Sequence, residues 1–260
     1  MVCAPTKSRS HDLVPRKPNR DPKGCASGGL SDEQGALTHA EQSHVQHFIM
    51  LSAICVQKPK LAFQVEKLRF EADLQASSLT HSIVRPTAFF KSLSGQIKRV
   101  QSGKPYLYFG SGQDTACTPI SERDLADFML ECLDLEARHN KILPIGGPHP
   151  ALTPQDIGHM MFETFDRPVK MRSVSPRIFT ILGKVLGVLA PFSKTIRDKC
   201  ELMKIGHYYA TESMLIWDQQ QNSYCPTSTP STGQDTLKDY FQSLHNGHEI
   251  ETVDTHSQIY

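Results

Sequence analysis

Apolar positions along this chain fall into two kinds of pattern, short unbroken runs and longer stretches with a 3.6-residue period. His47-Phe48-Ile49-Met50-Leu51-Ser52 is a short apolar run, the pattern of a strand covered on both faces in a parallel sheet. Leu61 to Ser77 places Leu61, Val65, Leu68, Ala72 and Leu74 on or near one face and predicts a helix. Ser82-Ile83-Val84 is a second buried strand, ended by Arg85-Pro86. Strand, helix, strand in that order makes a right-handed crossover the default. Upstream, Ala36 to Val45 reads as the end of a helix.

Shorter elements follow. Tyr106-Leu107-Tyr108-Phe109 is rich in strand formers, and Gly110-Ser111-Gly112 supplies a turn. Ser121 is an N-cap residue with Asp124 three positions on, a short-armed capping box. The helix it opens shows Leu125, Phe128, Met129, Cys132 and Leu133 on one stripe. Leu143 to Gly147 is an apolar run ending in a turn. Thr153-Pro154 pairs an N-cap with a proline at the first helical position, and Ile157, Met160, Met161 and Phe165 form the stripe behind it. Ile178 to Phe192 contains another amphipathic helix, read as packing in the core or resting on a membrane surface, the core being preferred. The fold class is α/β: the second half of a parallel sheet, then a smaller mixed segment.

Composition narrows the class of protein. The chain has 260 residues, with 28 Lys and Arg against 27 Asp and Glu. That balance carries no electrostatic footprint for nucleic acid. The longest apolar stretch, Ile178 to Phe192, is interrupted by Lys184 and falls short of the roughly 20 residues a spanning helix needs. Seven cysteines stand singly with no C-x-x-C pair, which argues against a disulfide framework and against a structural metal or iron–sulfur site. Residues 1–34 hold four prolines, six basic residues and no apolar period, and are expected to be a disordered leader with some transit-peptide character. Residues 35–245 form the expected ordered domain, and 246–260 a flexible tail.

Few residues are placed for chemistry. Ser52 ends a buried strand, the edge where ligands sit in open α/β sheets. Lys67 lies one helical turn past Phe63 and can project back to that edge, although an isolated helix lysine is ordinarily a solvated charge. Arg85-Pro86-Thr87-Ala88-Phe89-Phe90 forms the next strand exit, where the proline leaves nearby main-chain donors free. His44 and His47 straddle a helix-to-strand junction without a third ligand nearby and read as structural. Gly110-Ser111-Gly112 and Gly146-Gly147 read as turns, since neither continues into G-x-G-x-x-G.

Taken together, several strings resemble one known family. They are His47 to Pro59 (HFIMLSAICVQKP), Phe63-Gln64 with Lys67, Ser82 to Gly95 (SIVRPTAFFKSLSG), Gly103 to Tyr106, and Ala116 to Ala126. The likeness continues through Leu143 to Gly147, Leu152 to Pro154, Lys204 to Gly206, Tyr208 to Met214 and Asp235 to Leu237. Over roughly residues 36–245 the chain resembles the divinyl chlorophyllide a 8-vinyl-reductases, an atypical, NmrA-like branch of the short-chain dehydrogenase/reductases. The resemblance implies a Rossmann-like fold, a chloroplast location, and NADPH-dependent reduction of the 8-vinyl group of divinyl chlorophyllide or protochlorophyllide to ethyl. It implies no metal, and at most peripheral contact with thylakoid or envelope membranes.

Carried over residue by residue, Ser52 falls at the family's catalytic serine and Lys67 at the lysine of its Tyr-x-x-x-Lys motif. The cofactor-binding positions implied are Ser52, Ala53, Lys67, Pro86, Thr87, Ala88 and Phe89. Phe63 stands where the motif has tyrosine, so the usual phenolic proton donor is missing. Tyr208-Tyr209 and the Ile178 to Phe192 helix are expected to build an apolar pigment pocket. Nothing before His39 resembles the family's opening strand, glycine-rich turn and helix, so the chain reads as the family's C-terminal portion without its first βαβ units. The sheet is then expected to have an uncovered apolar edge and face. The alternative is a non-catalytic NmrA-like binding or scaffold protein, or an inactive fragment without a phosphate-binding loop.

Overall fold

In a computed structural model the described residues are 2–4, 28–189 and 193–247. The central sheet has four strands in the order β1 (Val2–Ala4), β2 (His47–Leu51), β3 (Thr80–Pro86) and β5 (Lys141–Ile145). β2, β3 and β5 run parallel, with Met50 beside Ile83 and Val84 beside Leu143. β1 is antiparallel to β2, Cys3 lying opposite Phe48. Period-two alternation sorts β2 between the two faces. Phe48 and Met50 join Phe70, Leu74 and Ile83 under α1 (Gly28–Gln42) and α2 (Ala62–Ala76). Ile49 joins Val84, Leu125, Phe128 and Ile145 under α4 (Glu122–Asp134) on the other face.

The edge and face expected to be bare are therefore occupied. β1 takes up the backbone donors and acceptors along the free edge of β2, which an open sheet would otherwise leave unpaired. Leu37 and Ala40 of α1 bury against the face beside it. Both β1 and the first turns of α1 fall within residues 1–34. The rest of that stretch, and residues 248–260 of the expected tail, lie outside the described residues.

Local chemistry explains the helix starts. Ser121 Oγ accepts from the Asp124 amide at 2.9 Å, opening α4 as anticipated. The Asp124 carboxylate does not close the box; it accepts from the Asp235 amide at 3.0 Å and ties a distant loop to the helix start. At α5 (Pro154–Thr164) the box is complete, Thr153 Oγ1 accepting from the Asp156 amide and Asp156 from the Thr153 amide.

Gly146 and Gly147 are not turn residues. They continue past β5 into a slot where a Cβ on Gly147 would lie 1.9 Å from the Pro119 carbonyl oxygen and one on Gly146 2.1 Å from Thr118 Oγ1. Glycine is required there because two backbones meet. Gly110 and Gly112 do turn the chain, both with positive φ.

Beyond the carboxyl ends of the strands lies the second, mixed segment. β4 (Tyr106–Phe109) pairs in parallel with β6 (Met171–Val174), and β7 (Ile216–Asp218) with β8 (Ser223–Cys225) as a hairpin. Around them pack α3 (Ile97–Gln101), α5, α6 (Arg177–Leu189), α7 (Lys194–Thr211) and α8 (Leu237–His245). His47 is a core histidine as anticipated, its Nε2 2.9 Å from Ser82 Oγ.

Candidate active site at the carboxyl edge of the sheet

Chain direction assembles the site. Parallel β2 and β3 both run toward one edge, so the segments leaving them emerge side by side. Ser52 prolongs the ladder, its amide donating to the Val84 carbonyl at 2.7 Å. Ala53 then opens a 3₁₀ turn over Ile54–Gln57. From β3, Thr87 donates its amide to Ile145 and its hydroxyl to the Thr118 carbonyl, which stretches Pro86 to Phe89 along the same edge.

These two exits border a cavity of about 1470 Å³ walled mainly by apolar groups. Ser52, Ala53, Pro86, Thr87, Ala88 and Phe89 all line it, as does Phe63. Lys67 does not reach the wall. Its ammonium donates to the Leu51 carbonyl at 3.3 Å, one residue before Ser52, so it caps the carboxyl end of β2 from behind. One turn further along α2, Glu71 is 1% exposed. It accepts from the Ser52 hydroxyl and is gripped by Arg85, whose Nε donates to Oε1 at 3.0 Å while Nη2 reaches Oε2. The hydroxyl of Ser52 is thus oriented by an ion pair linking α2 to β3, a support invisible in the spacing of the sequence.

The far wall comes from α7, where Leu202, Ile205 and Tyr209 face the cavity. Their i, i+3, i+7 spacing is a helical stripe that the sequence offers and the reading above did not use. The expected division of labour within the tyrosine pair and the neighbouring helix changes accordingly. Tyr209 lines the cavity, whereas Tyr208 is buried and donates to the Cys55 carbonyl at 2.8 Å. α6, expected to help wall the pocket or fill the core, contributes none of the lining among the described residues. It lies outside α7, held by Phe179 against Phe109 and Gly206.

A charged knot closes the cavity's end. Glu212, at the foot of α7, meets Lys58 at 2.8 Å and also binds Lys60 and the Tyr224 hydroxyl. Burial opposes its charge, but the hydrogen bonds from Lys58, Lys60 and Tyr224 win and hold its carboxyl at about 2. Lys58 lies 3.9 Å from the Trp217 ring centroid, adding a cation–π contact. These contacts fasten the loop after β2 to the C-terminal segment. The proton-bearing groups on the wall stay neutral: burial pushes Cys117 up to about 12 and raises Cys55, Tyr106 and Tyr209. Among the described residues no group of three or more His, Cys, Asp or Glu could hold a metal ion.

Residues 18–136 match the NAD(P)H-binding family. An NADPH-dependent quinone oxidoreductase from Escherichia coli, solved with NADPH, superposes with a TM-score of 0.59 at 13% identity, over 85% of this chain and 74% of that one. A nucleoside-diphosphate-sugar epimerase from Staphylococcus aureus superposes with a TM-score of 0.57 at 14% identity, over the same shares. Sheet order and these likenesses give the chain a Rossmann-like fold, with NAD(P)H binding indicated by the family match.

Sequence similarity then selects within that class. The chloroplastic divinyl chlorophyllide a 8-vinyl-reductase of Arabidopsis thaliana is 46% identical over 232 residues, 84% of this chain and 56% of that protein. The enzyme of the same name from Oryza sativa subsp. indica is 44% identical over 249 residues, 90% of this chain and 62% of that protein. The chain is thus similar in sequence to chloroplastic divinyl chlorophyllide a 8-vinyl-reductases and spans little more than half the length of these relatives.

Proposed function

We propose that this chain carries the nicotinamide-facing and pigment-facing parts of an NADPH-dependent reductase that converts the 8-vinyl group of divinyl chlorophyllide, or of divinyl protochlorophyllide, to ethyl in the chloroplast. The observation that carries the reading is the large apolar cavity opening where β2 and β3 end. Its volume exceeds the roughly 300–1,000 Å³ of ordinary ligand pockets, as a flat macrocycle beside a nicotinamide requires. The two strand exits suit the nicotinamide end of a dinucleotide, with Ala53 and Pro86 to Phe89 offering backbone. Lys67, bonded to the Leu51 carbonyl, would steady the strand end beneath that site. Before β2 the described residues form β1, antiparallel to it, and α1, and neither contributes to the cavity lining. The assignment therefore covers the nicotinamide end alone.

Bound NADPH supplies a hydride, and reduction of a vinyl group also consumes one proton at carbon. Phe63 has no proton to give. Tyr209, on the opposite wall, does: its hydroxyl is kept protonated by burial, and it is the phenol of α7 that faces the cavity. We assign it as the proton-holding group.

Chromatographic analysis of divinyl chlorophyllide incubated with NADPH and the protein tests the reading. Conversion to the monovinyl pigment is expected, with Tyr209→Phe slowing turnover by about 10²-fold or more while NADPH affinity stays unchanged. NADPH binding without any conversion supports the non-catalytic alternative, and full activity of the Tyr209 variant removes that residue from the reaction.

A further inference from the structure

α6 presents its greasiest face to solvent. Ile178, Ile181, Leu182 and Val185 recur at i, i+3, i+4 and i+7, and they are 42%, 61%, 44% and 60% exposed. That is the spacing of a core-facing stripe, pointed outward. The helix is not loose: Phe179 on its inner side is buried against Phe109, and a Cβ on Gly183 would lie 3.7 Å from Met203 Cβ on α7. Thirteen residues reach about 20 Å, too short to cross a bilayer.

Charge selects the occupant. Residues 167–199 carry eight Lys and Arg and one acid, Asp198, in a chain whose net charge is only +1. α6 itself holds no acid, and its two basic residues, Arg177 and Lys184, are exposed. An apolar stripe on a short basic helix is the signature of an element lying in a membrane interface, with aliphatic side chains among the acyl chains and cations at the headgroups.

We propose that α6 docks this protein on an anionic lipid surface, with Ile178, Ile181, Leu182 and Val185 inserted and Arg177 and Lys184 at headgroup level. Docked this way, α7 separates the lipid from the cavity, so the cavity wall rests one helix above the membrane. The proposal stands independently of the reaction assigned to the cavity.

Co-sedimentation of the whole chain with vesicles tests it. The protein is expected to pellet with phosphatidylglycerol–phosphatidylcholine vesicles and far less with phosphatidylcholine alone. Binding should weaken at about 1 M salt, where the Debye length is about 3 Å. Ile181→Asp with Val185→Asp should lower partitioning on the order of tenfold or more. Arg177→Glu with Lys184→Glu should lower it on anionic vesicles roughly tenfold. All four positions are exposed, and circular dichroism confirms that each variant is folded. Failure of the native chain to pellet, or equal pelleting by the Asp variant, overturns the proposal. So does a dimer in light scattering that the Asp variant dissociates without any vesicle binding, which would give the face to a second copy of this chain.

Discussion

Replacing Arg85 with methionine isolates the support beneath the site. Arg85 keeps 16% of its side chain exposed, while the Glu71 carboxylate it grips is 1% exposed. Methionine fills the space of the arginine stem but strips Glu71 of its cation, leaving the Ser52 hydroxyl as its carboxylate's partner among the contacts described. A buried carboxylate deprived of its cation costs about 3–5 kcal/mol. With a urea dependence of about 2–3 kcal/mol per molar, the unfolding midpoint should fall by roughly 1–2.5 M. Equilibrium urea denaturation followed by far-UV circular dichroism reads that shift. The companion variant Arg85→Met with Glu71→Leu removes both charges and should recover most of the loss, because the penalty lies in the orphaned carboxylate rather than in the absent bridge. An Arg85→Met midpoint equivalent to within about 1 kcal/mol of native, or a double variant no more stable than the single one, refutes the argument.

Three other outcomes are expected. Glu212 has a folded-state carboxyl at about 2 against an ordinary value of 4.5. Its contribution is thus fully present above about 4.5 and lost as pH falls toward 2, and thermal melts across that window should show about 1–3 kcal/mol of loss, reduced by solvent around exposed Lys60, that Glu212→Gln lacks. Lys67→Ala should weaken NADPH binding and turnover about tenfold or more, measured by titration calorimetry and steady-state kinetics, since it removes the only side chain bonded to the Leu51 carbonyl among the contacts described; unchanged kinetics take Lys67 out of the site. Gly147→Ala should destabilise the fold by at least about 1–3 kcal/mol in denaturant titration, because its Cβ would meet the Pro119 carbonyl at 1.9 Å with no flexible side chain to yield.

Local pattern and tertiary structure contributed different things here. β2, α2, β3 and α4 were legible because each carries its own signal: an unbroken apolar run, a 3.6-residue stripe, an N-cap. Ser52 and Pro86 to Phe89 were legible for a related reason, as parallel strands deliver their exits to one edge whatever the remaining topology. Chain order alone could not say that Glu71 and Arg85, both ordinary charges in the sequence, meet beneath Ser52. Nor could it separate Tyr208 from Tyr209, since neighbouring helix positions differ by about 100° in direction and only the packing of α7 decides which one faces the cavity. The amphipathic stripe of α6 was equally visible in one dimension, but periodicity reports that a face is apolar and not what covers it. That side was decided when Phe179 turned inward onto Phe109 and left four aliphatic residues facing outward.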